Sequence, residues 1–340
     1  MSVKFILNIL QFSGNRLAAA LTLRELAINA PTSFYSKTNQ MALGGSNEFF
    51  EHIIPVMRDP VPLVRATAAD ALAECIKIII ERRHRSKTAL LCKMYEGVLE
   101  GLNSSRKALA SSLGTTEDAC MHGSLLIAGE MLKHTHDFML PRFDELCKCI
   151  LSFKNNQDAL IRLAMVNIIP KLAKRCPGMF GRRYLEDFLK HLLLSACTPQ
   201  SLKGPIDVRP VAFLAIGKLA LVFKSTDDEN VNLIGSRESW LVEIFGIVRA
   251  GLQRSSVGLL DTTNEALQCA SDLVKALGKF AAPYSRELLN NMFESGLSES
   301  LIHSLRAISS SLPSEKVSCL RLSKYHSSLC NHNYLSEFTY

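Results

Sequence analysis

The chain has 340 residues, of which 47% are hydrophobic and 21% are charged. This is the composition of a globular protein and it excludes a disordered one, and no apolar run reaches the ~18 residues of a transmembrane helix. The net charge of +7 is too weak to indicate a dedicated nucleic-acid binder.

Residues 1–12 combine one lysine with a short apolar stretch that Asn8 interrupts. No small-residue cleavage site follows, so we expect no secretory signal. The ten cysteines form no CxxC motif, and several lie among Ala, Leu and Ile. We therefore expect reduced, mostly buried thiols of an intracellular protein rather than a disulfide or zinc framework.

Apolar residues recur every three or four positions, which predicts helices, and these come in pairs. The first pair has apolar positions at Phe5, Ile9 and Phe12, then at Leu17, Ala20, Leu21 and Leu26. The second has Phe50, Ile53, Ile54 and Met57, then Val61, Val64, Ala68, Leu72, Cys75, Ile76 and Ile79. Pro60 and Pro62 lack the N–H groups of a helix interior, so one helix should end near Asp59 and the next begin at about Pro62.

Five further pairs follow the same pattern. Their apolar stripes are Tyr95, Val98, Leu99, Leu102 with Met121, Leu125, Ala128, Leu132; Phe143, Leu146, Cys147, Ile150, Leu151 with Ile161, Ala164, Met165, Ile168, Ile169, Leu172; Leu185, Phe188, Leu189, Leu192, Leu193, Ala196 with Val208, Val211, Ala212, Ala215, Leu219; Leu241, Phe245, Val248, Leu252 with Ala266, Ala270, Leu273, Val274, Leu277; and Leu288, Leu289, Met292, Phe293 with Leu301, Leu305, Ile308. Pro170 falls within one stripe and predicts a bend there.

A unit of about 40 to 55 residues with two helices is typical of HEAT or armadillo solenoids. The predicted fold is an all-α, superhelical α-solenoid of about six to seven hairpins over residues 1–312. The apolar period fades over the tail, 313–340, which we expect to be atypical and disordered. Five long loops, rich in Ser, Gly, Asn or Pro, are expected to carry partner contacts: Pro31–Asn47, Asn103–Glu117, Thr198–Ile206, Lys224–Glu238 and Gln253–Gly258.

Arginines recur at one place in the repeat. Asp59 with Val64-Arg65 matches the HEAT pattern of an Asp in the turn and an Arg at the start of the next helix. Asn156 with Ile161-Arg162 repeats the spacing, and Asp207-Val208-Arg209 keeps the Val-Arg without it. We expect these arginines to bond turn groups of the adjacent unit rather than a ligand.

The sequence predicts no catalytic, cofactor-binding or metal-binding residues. Phosphate-binding glycine loops, kinase HRD and DFG elements, GxSxG and HExxH are all missing from it. The acidic residues Glu74, Glu130, Asp187 and Glu243 are expected on solvated helix faces, with no acid/base pair among them.

Three weaker features have structural interpretations that we favour. Cys319, His326, Cys330 and His332 match no standard zinc spacing. The basic run Arg82–Lys87 fits a solvated helix C-terminus, with an acidic partner or phosphate patch as the alternative. His122 is expected at the opening of a helix, as a buried or capping residue.

Several stretches resemble the N-terminal HEAT region of the target of rapamycin (TOR) serine/threonine kinases, within the PI3K-related kinase family. They follow one another in collinear order over about residues 14 to 312, and the bend at Pro170 is similar to the family pattern. The segments are Arg16–Ala27 with Pro31–Tyr35, Arg58–Pro60 with Val64-Arg65 and Ala71–Cys75, His122–Leu126, Leu160–Arg162 with Ile168–Ala173, and Gly296–Ser298.

The resemblance implies a non-catalytic scaffold in nutrient-responsive TOR signalling, because the family's kinase, FAT and rapamycin-binding regions have no counterpart here. It implies Raptor-like or Rictor-like subunits, a second TOR copy and a Rheb-like GTPase as partners, and no nucleic acid. It also implies a cytoplasmic location, with vacuolar or lysosomal membrane and nucleus reached through the complex. The tail departs from the family, which continues with helices, so we expect a truncated or alternative end. The alternative function is an unrelated HEAT or armadillo adaptor, such as a transport receptor or phosphatase scaffold.

Overall fold

A computed structural model describes residues 13–33, 53–82, 87–103, 117–197, 206–224, 233–253 and 261–312. These residues form helices and turns, with no strand among them. The chain divides into two compact units, Met1–Arg175 (unit 1) and Cys176–Tyr340 (unit 2). Each unit is described by itself below.

Unit 1 consists of helices of different lengths that are joined by turns. Besides a helical stretch at residues 53–56, its described helices are α1 (Ser13–Asn29), α2 (Pro62–Glu81), α3 (Lys87–Leu102), α4 (Glu117–His134), α5 (Phe143–Leu151) and α6 (Ala159–Arg175). A 3₁₀ helix, His136–Arg142, leads into α5. Helices α1, α2, α4 and α6 pack one against the next as a row, which we call the B helices; α3 lies against α4, and α5 against α6.

Unit 2 has two rows of helices that pack against each other. Its described helices are α7 (Pro177–Arg183), α8 (Leu185–Cys197), α9 (Arg209–Val222), α10 (Glu238–Leu252), α11 (Thr263–Leu277), α12 (Ala282–Glu294) and α13 (Glu299–Ser311), with a 3₁₀ helix at Gly278–Ala281. Here α9, α11 and α13 form the row of B helices, and α8, α10 and α12 form the second row. The pairs α8–α9 and α10–α11 join the two rows.

This stacking of helical hairpins confirms the predicted all-α solenoid. One hairpin has too little apolar surface to be stable alone, and stacking gives each B helix a neighbour to pack against. The B-helix stripe of α6 is buried at every predicted position from Ile161 to Leu172, and that of α11 from Ala266 to Leu277. The boundary between residues 312 and 313 stays a prediction, because the tail lies outside the described residues.

The turn at the start of α2 forms where the prolines predict it. Residues 53–56 are helical, Asp59 lies outside the helix, and Pro62 is in the first turn of α2. A proline is tolerated there because the first N–H groups of a helix have no intrahelical partner. The predicted ends of both helices are therefore confirmed.

The predicted face of α1 is wrong. Leu21 and Leu26 are exposed, and Leu17 is half-buried, whereas Ala19, Leu23 and Ala27 are buried with the correctly predicted Ala20. Because α1 has leucines on both faces, periodicity alone selected the larger side chains. The helix instead turns its alanines towards α2, where small side chains allow close packing.

Pro170 lies inside α6, which continues to Arg175 as predicted. Its ring nitrogen has no hydrogen, so the helix lacks one hydrogen bond at this point. The predicted bend stays a prediction. Among the described helices, none combines the length and the apolar character needed to cross a bilayer.

Candidate interaction site

A buried carboxylate joins α1 to the turn before α2. Asp59 is 1% exposed and accepts hydrogen bonds from the guanidinium of Arg16, which is 7% exposed, with 3.2 Å from Nη2 to Oδ1. Its Oδ1 also accepts the backbone N–H of Val61 at 2.8 Å. These charge-assisted bonds fix the turn of one hairpin on the preceding B helix.

Arg65 continues this polar chain toward the next B helix. Its Nη1 donates to the backbone oxygens of Asp59 and Pro60, the latter at 3.1 Å, and its Nε donates to Nδ1 of His122 on α4 at 2.9 Å. The prediction that this arginine bonds a turn of the adjacent unit is wrong: it closes its own turn. The connection between hairpins runs through Arg16 before it and His122 after it.

The other two repeat arginines also act within their own turns. Nη1 of Arg162 donates to the backbone oxygens of Asn156 and Gln157 at 2.9 and 2.7 Å. Arg209 donates through Nη2 to Oδ2 of Asp207 at 2.7 Å. The shared spacing of Arg65 and Arg162 therefore indicates a turn-closing contact, five or six residues back along the chain.

His122 is buried, as predicted, but it neither opens nor caps a helix. Since α4 begins at Glu117, His122 lies in the second turn and is 6% exposed. Burial, with Arg65 beside the ring, lowers the pKa of His122 to about 4. The ring is therefore neutral at pH 7 and accepts a hydrogen bond at Nδ1, which is a structural role.

Gly123, next to His122, permits close contact between α4 and the turn that follows the helical stretch at residues 53–56. A Cβ added at this position would lie 1.9 Å from the backbone oxygen of Met57. Only a residue without a side chain fits there. The motif His122–Ser124 thus combines a hydrogen-bond acceptor for Arg65 with a close backbone approach.

Basic side chains collect around Glu130 at the ends of α4 and α6. Oε1 of Glu130 lies 3.0 Å from Nζ of Lys171, and Oε2 lies 3.7 Å from Nζ of Lys133 and 3.4 Å from Nε2 of His134. Nη1 of Arg175 lies 3.1 Å from Nδ1 of His136. We call Lys133, His134, His136, Lys171, Lys174 and Arg175 the basic cluster.

The prediction for the four acidic residues is correct for two of them. Asp187 and Glu243 are exposed, but Glu74 and Glu130 are half-buried. Glu74 pairs with Lys77, and Glu130 is enclosed by the basic cluster. Sequence analysis missed this cluster, because its lysines lie on two helices whose contact no spacing reveals.

Most of the other predicted features lie outside the described residues. These are Cys319, His326, Cys330 and His332, residues 83–86 of the basic run, and most of the five long loops. Within the described ranges, no group of metal-ligating side chains is found.

The cysteines in those ranges are free thiols. Cys75, Cys120, Cys147 and Cys269 are buried, while Cys197 is exposed. Burial raises the pKa of the Cys75 and Cys269 thiols, so both stay protonated at neutral pH.

The sequence is similar to TOR serine/threonine-protein kinases. Those of Arabidopsis thaliana and Oryza sativa are each 30% identical to this chain over 88% of its length, and tor1 of Schizosaccharomyces pombe is 27% identical over 88%. The chain spans about a tenth of the length of these curated relatives. No family model matches it.

The fold is similar to that of a solved solenoid. A crystal structure of a Kap121p mutant superposes with a TM-score of 0.65 and 11% identity, over 98% of this chain and 32% of that one. A second Kap121p mutant gives a TM-score of 0.58 at 10% identity. At this identity the likeness extends to the fold alone.

Proposed function

Since this chain is homologous to the N-terminal repeat region of the TOR serine/threonine-protein kinases, we propose that it is a non-catalytic scaffold that binds protein subunits of a TOR-type complex. The observation that carries the proposal is the match to several TOR kinases over 88% of the chain, on a stacked-hairpin fold. In such a fold the long rows of helices offer extended surfaces for partner proteins.

The proposed partners are Raptor-like and Rictor-like subunits, a second TOR copy and a Rheb-like GTPase. The proposed role is in nutrient-responsive growth signalling, in the cytoplasm and, through the complex, at vacuolar or lysosomal membranes and in the nucleus. The buried side chains support a structural role for the interior, since Arg16, Asp59, Arg65 and His122 are engaged in bonds between hairpins. Binding is therefore assigned to exposed surfaces.

Capture of a purified Raptor-like subunit by the immobilised full chain tests this proposal. A Rictor-like subunit is tested in parallel, and an unrelated helical solenoid of similar length serves as the control bait. We expect capture of at least one subunit above the control. Capture no greater than that of the unrelated solenoid contradicts the proposal.

A second measurement tests the non-catalytic assignment. The purified chain is incubated with ATP, magnesium and a serine/threonine peptide, and phosphate incorporation is followed. We expect no incorporation above a reaction without protein. Incorporation that copurifies with the chain contradicts the assignment.

A further inference from the structure

We propose that the basic cluster of unit 1 is a docking surface for an acidic segment of a protein partner, rich in aspartate and glutamate. The inference deepens the proposed scaffold function and rests on it. It concerns the ends of α4 and α6, two B helices that pack against each other.

The charge balance of the cluster favours an anionic partner. Lys133, Lys171, Lys174 and Arg175 are cationic, and Glu130 is the carboxylate that contacts two of them. Asp137, nearby in the chain, makes no ion pair in the part of the structure that is described. The cations therefore exceed the carboxylate at their centre, and an acidic segment would balance the excess.

The cluster also presents an unpaired cation at its surface. Nε of Arg175, Nε2 of His134 and Oε2 of Glu130 are buried without a hydrogen-bond partner among the described residues, and because they are buried they do not reach an incoming partner. Lys174 is exposed, and its ammonium pairs with no described carboxylate. Oε1 of Glu130 faces Lys171 and Oε2 faces Lys133 and His134, so the exposed ammonium of Lys174 is left for an incoming carboxylate.

The helix dipole accounts for only part of this cluster. Lys133 and His134 lie in the last turn of α4, and Lys174 and Arg175 in that of α6, where the helix dipole favours cations. Each helix end carries only about half a negative charge. Lys171 lies before the last turn of α6, so the dipole does not explain its position.

The arrangement suits an extended acidic segment better than a single small anion. The cations come from two neighbouring helices, whose axes are about 8–10 Å apart when helices pack together. Three of the four are lysines, which act as point charges on flexible stems rather than as a rigid fork around one phosphate. Alternate side chains of an extended segment are about 7 Å apart, which lets several carboxylates reach lysines on both helices.

The test measures binding of a fluorescein-labelled peptide of about ten glutamates to the full chain by fluorescence anisotropy, at about 0.05 M and about 0.3 M salt. A Gly-Ser peptide of the same length is the neutral control probe. The test variant is Lys133→Gln/Lys174→Gln, two exposed positions whose loss leaves the core intact. The matched variant is Lys154→Gln/Lys218→Gln, which removes the same charge from exposed positions outside the cluster.

We expect the glutamate peptide to bind the wild-type chain at the lower salt concentration and the neutral peptide not to bind. The cluster variant should bind about tenfold more weakly, with an unchanged thermal melting curve, and the matched variant should bind like wild type. Equal weakening in both variants, or no preference for the glutamate peptide, overturns the proposal. Complete competition by inorganic phosphate at a concentration equal to the peptide's also overturns it, since that indicates a small-anion site.

The same measurements separate this inference from the scaffold proposal. One outcome is that neither the Raptor-like nor the Rictor-like subunit is captured, while the cluster variant, and not the matched variant, binds the glutamate peptide more weakly. In that case the scaffold proposal fails, and the basic cluster is still shown to bind an acidic segment. If a subunit is captured but the wild-type chain does not prefer the glutamate peptide, the inference alone fails.

Discussion

Units 1 and 2 build the same helical stack with different interior contacts. In unit 1, charged side chains cross from hairpin to hairpin, through Arg16–Asp59 and Arg65–His122. In unit 2, the buried Arg209 pairs with Asp207, two residues away in its own turn. Ring stacking contributes to that interior, with centroids 5.4 Å apart for Phe180–Phe188 and 4.7 Å apart for Phe245–Tyr284.

The difference shows that hairpin register can be set in two ways. Hydrogen bonds between buried charges are directional, so in unit 1 a shifted hairpin would leave Asp59 or Arg16 buried without a partner. Apolar and aromatic contacts are less directional, so in unit 2 register depends on shape. We therefore expect unit 1 to be more sensitive to the loss of single polar atoms, and the two units to be equally sensitive to lost apolar volume.

Replacing Asp59 should have the largest effect. Asp59→Ala leaves Arg16 buried without its carboxylate and removes the bond to the Val61 N–H, so we expect a loss of about 3–5 kcal/mol in the free energy of unfolding. Urea unfolding followed by far-UV circular dichroism measures it. The control Asp70→Ala removes an exposed acid of α2 and should cost less than about 0.5 kcal/mol. Similar losses of unfolding free energy for both variants would contradict the idea that buried charges set the hairpin register in unit 1.

Loss of apolar volume should affect the units alike. Leu72 in unit 1 and Leu273 in unit 2 are both fully buried on B helices, and each Leu→Ala change should cost roughly 2–5 kcal/mol. Trp240, the single tryptophan, lies in unit 2, so its fluorescence reports that unit while circular dichroism reports both. An unchanged unfolding curve for Leu72→Ala would show that α2 faces solvent, against the described packing.

The next effect is a pH dependence specific to unit 1. The pKa of His122 is about 4 when folded and about 6.5 when unfolded, so protons bind the unfolded state first as the pH falls. Stability should be unaffected above pH ~6.5 and should then fall by up to about 1.4 kcal/mol per pH unit until pH ~4.

The variant His122→Asn isolates the contribution of His122 to this pH dependence, because the amide oxygen offers Arg65 an acceptor that does not titrate. Unfolding free energies of both proteins are measured between pH ~7 and pH ~4.5. Since other titrating groups are shared, the difference between the two curves reports His122. Parallel curves would show that the ring is not buried in its neutral form.

The smallest effect is expected for a polar contact of unit 2. Oγ of Ser304 donates to the backbone oxygen of Leu267 at 3.0 Å, which links α13 to α11 with a neutral hydrogen bond. Ser304→Ala should cost about 1 kcal/mol, well below Asp59→Ala, as measured by Trp240 fluorescence in urea. A loss of unfolding free energy as large as that of Asp59→Ala would contradict the expectation that unit 1 is more sensitive to the loss of single polar atoms. Ser310→Ala, at an exposed position of α13, is the control.

Periodicity was sufficient to predict the hairpins, because a B helix with apolar residues on one stripe has one way to be buried. It failed on α1, where leucines occur on two faces and the alanines determine the close contact with α2. It identified Arg65 but not its partner: residue types show that an arginine needs acceptors, whereas only the folded turn places the Asp59 and Pro60 oxygens within reach.

The basic cluster could not be predicted from the sequence, for a related reason. Lys171 and Arg175 are one turn apart on α6, and their spacing in the sequence predicts this. Their relation to Glu130 and His134 depends on which helices are neighbours in the row. A single sequence carries no signal for that contact.

Pro170 has a consequence for how the end of α6 moves. With no amide hydrogen at Pro170, the Val166 carbonyl lacks its usual intrahelical donor, so the segment from Pro170 to Arg175 is joined to the rest of α6 by one bond fewer than in an uninterrupted helix. Leu172 and Ala173 are fully buried, so packing still holds this segment, but its local opening should be easier and should appear as faster amide exchange over residues 171–175 than over the last turn of α4. The exposed side chain of Lys174 can therefore adjust to an acidic partner while Leu172 and Ala173 stay packed in the hydrophobic stack.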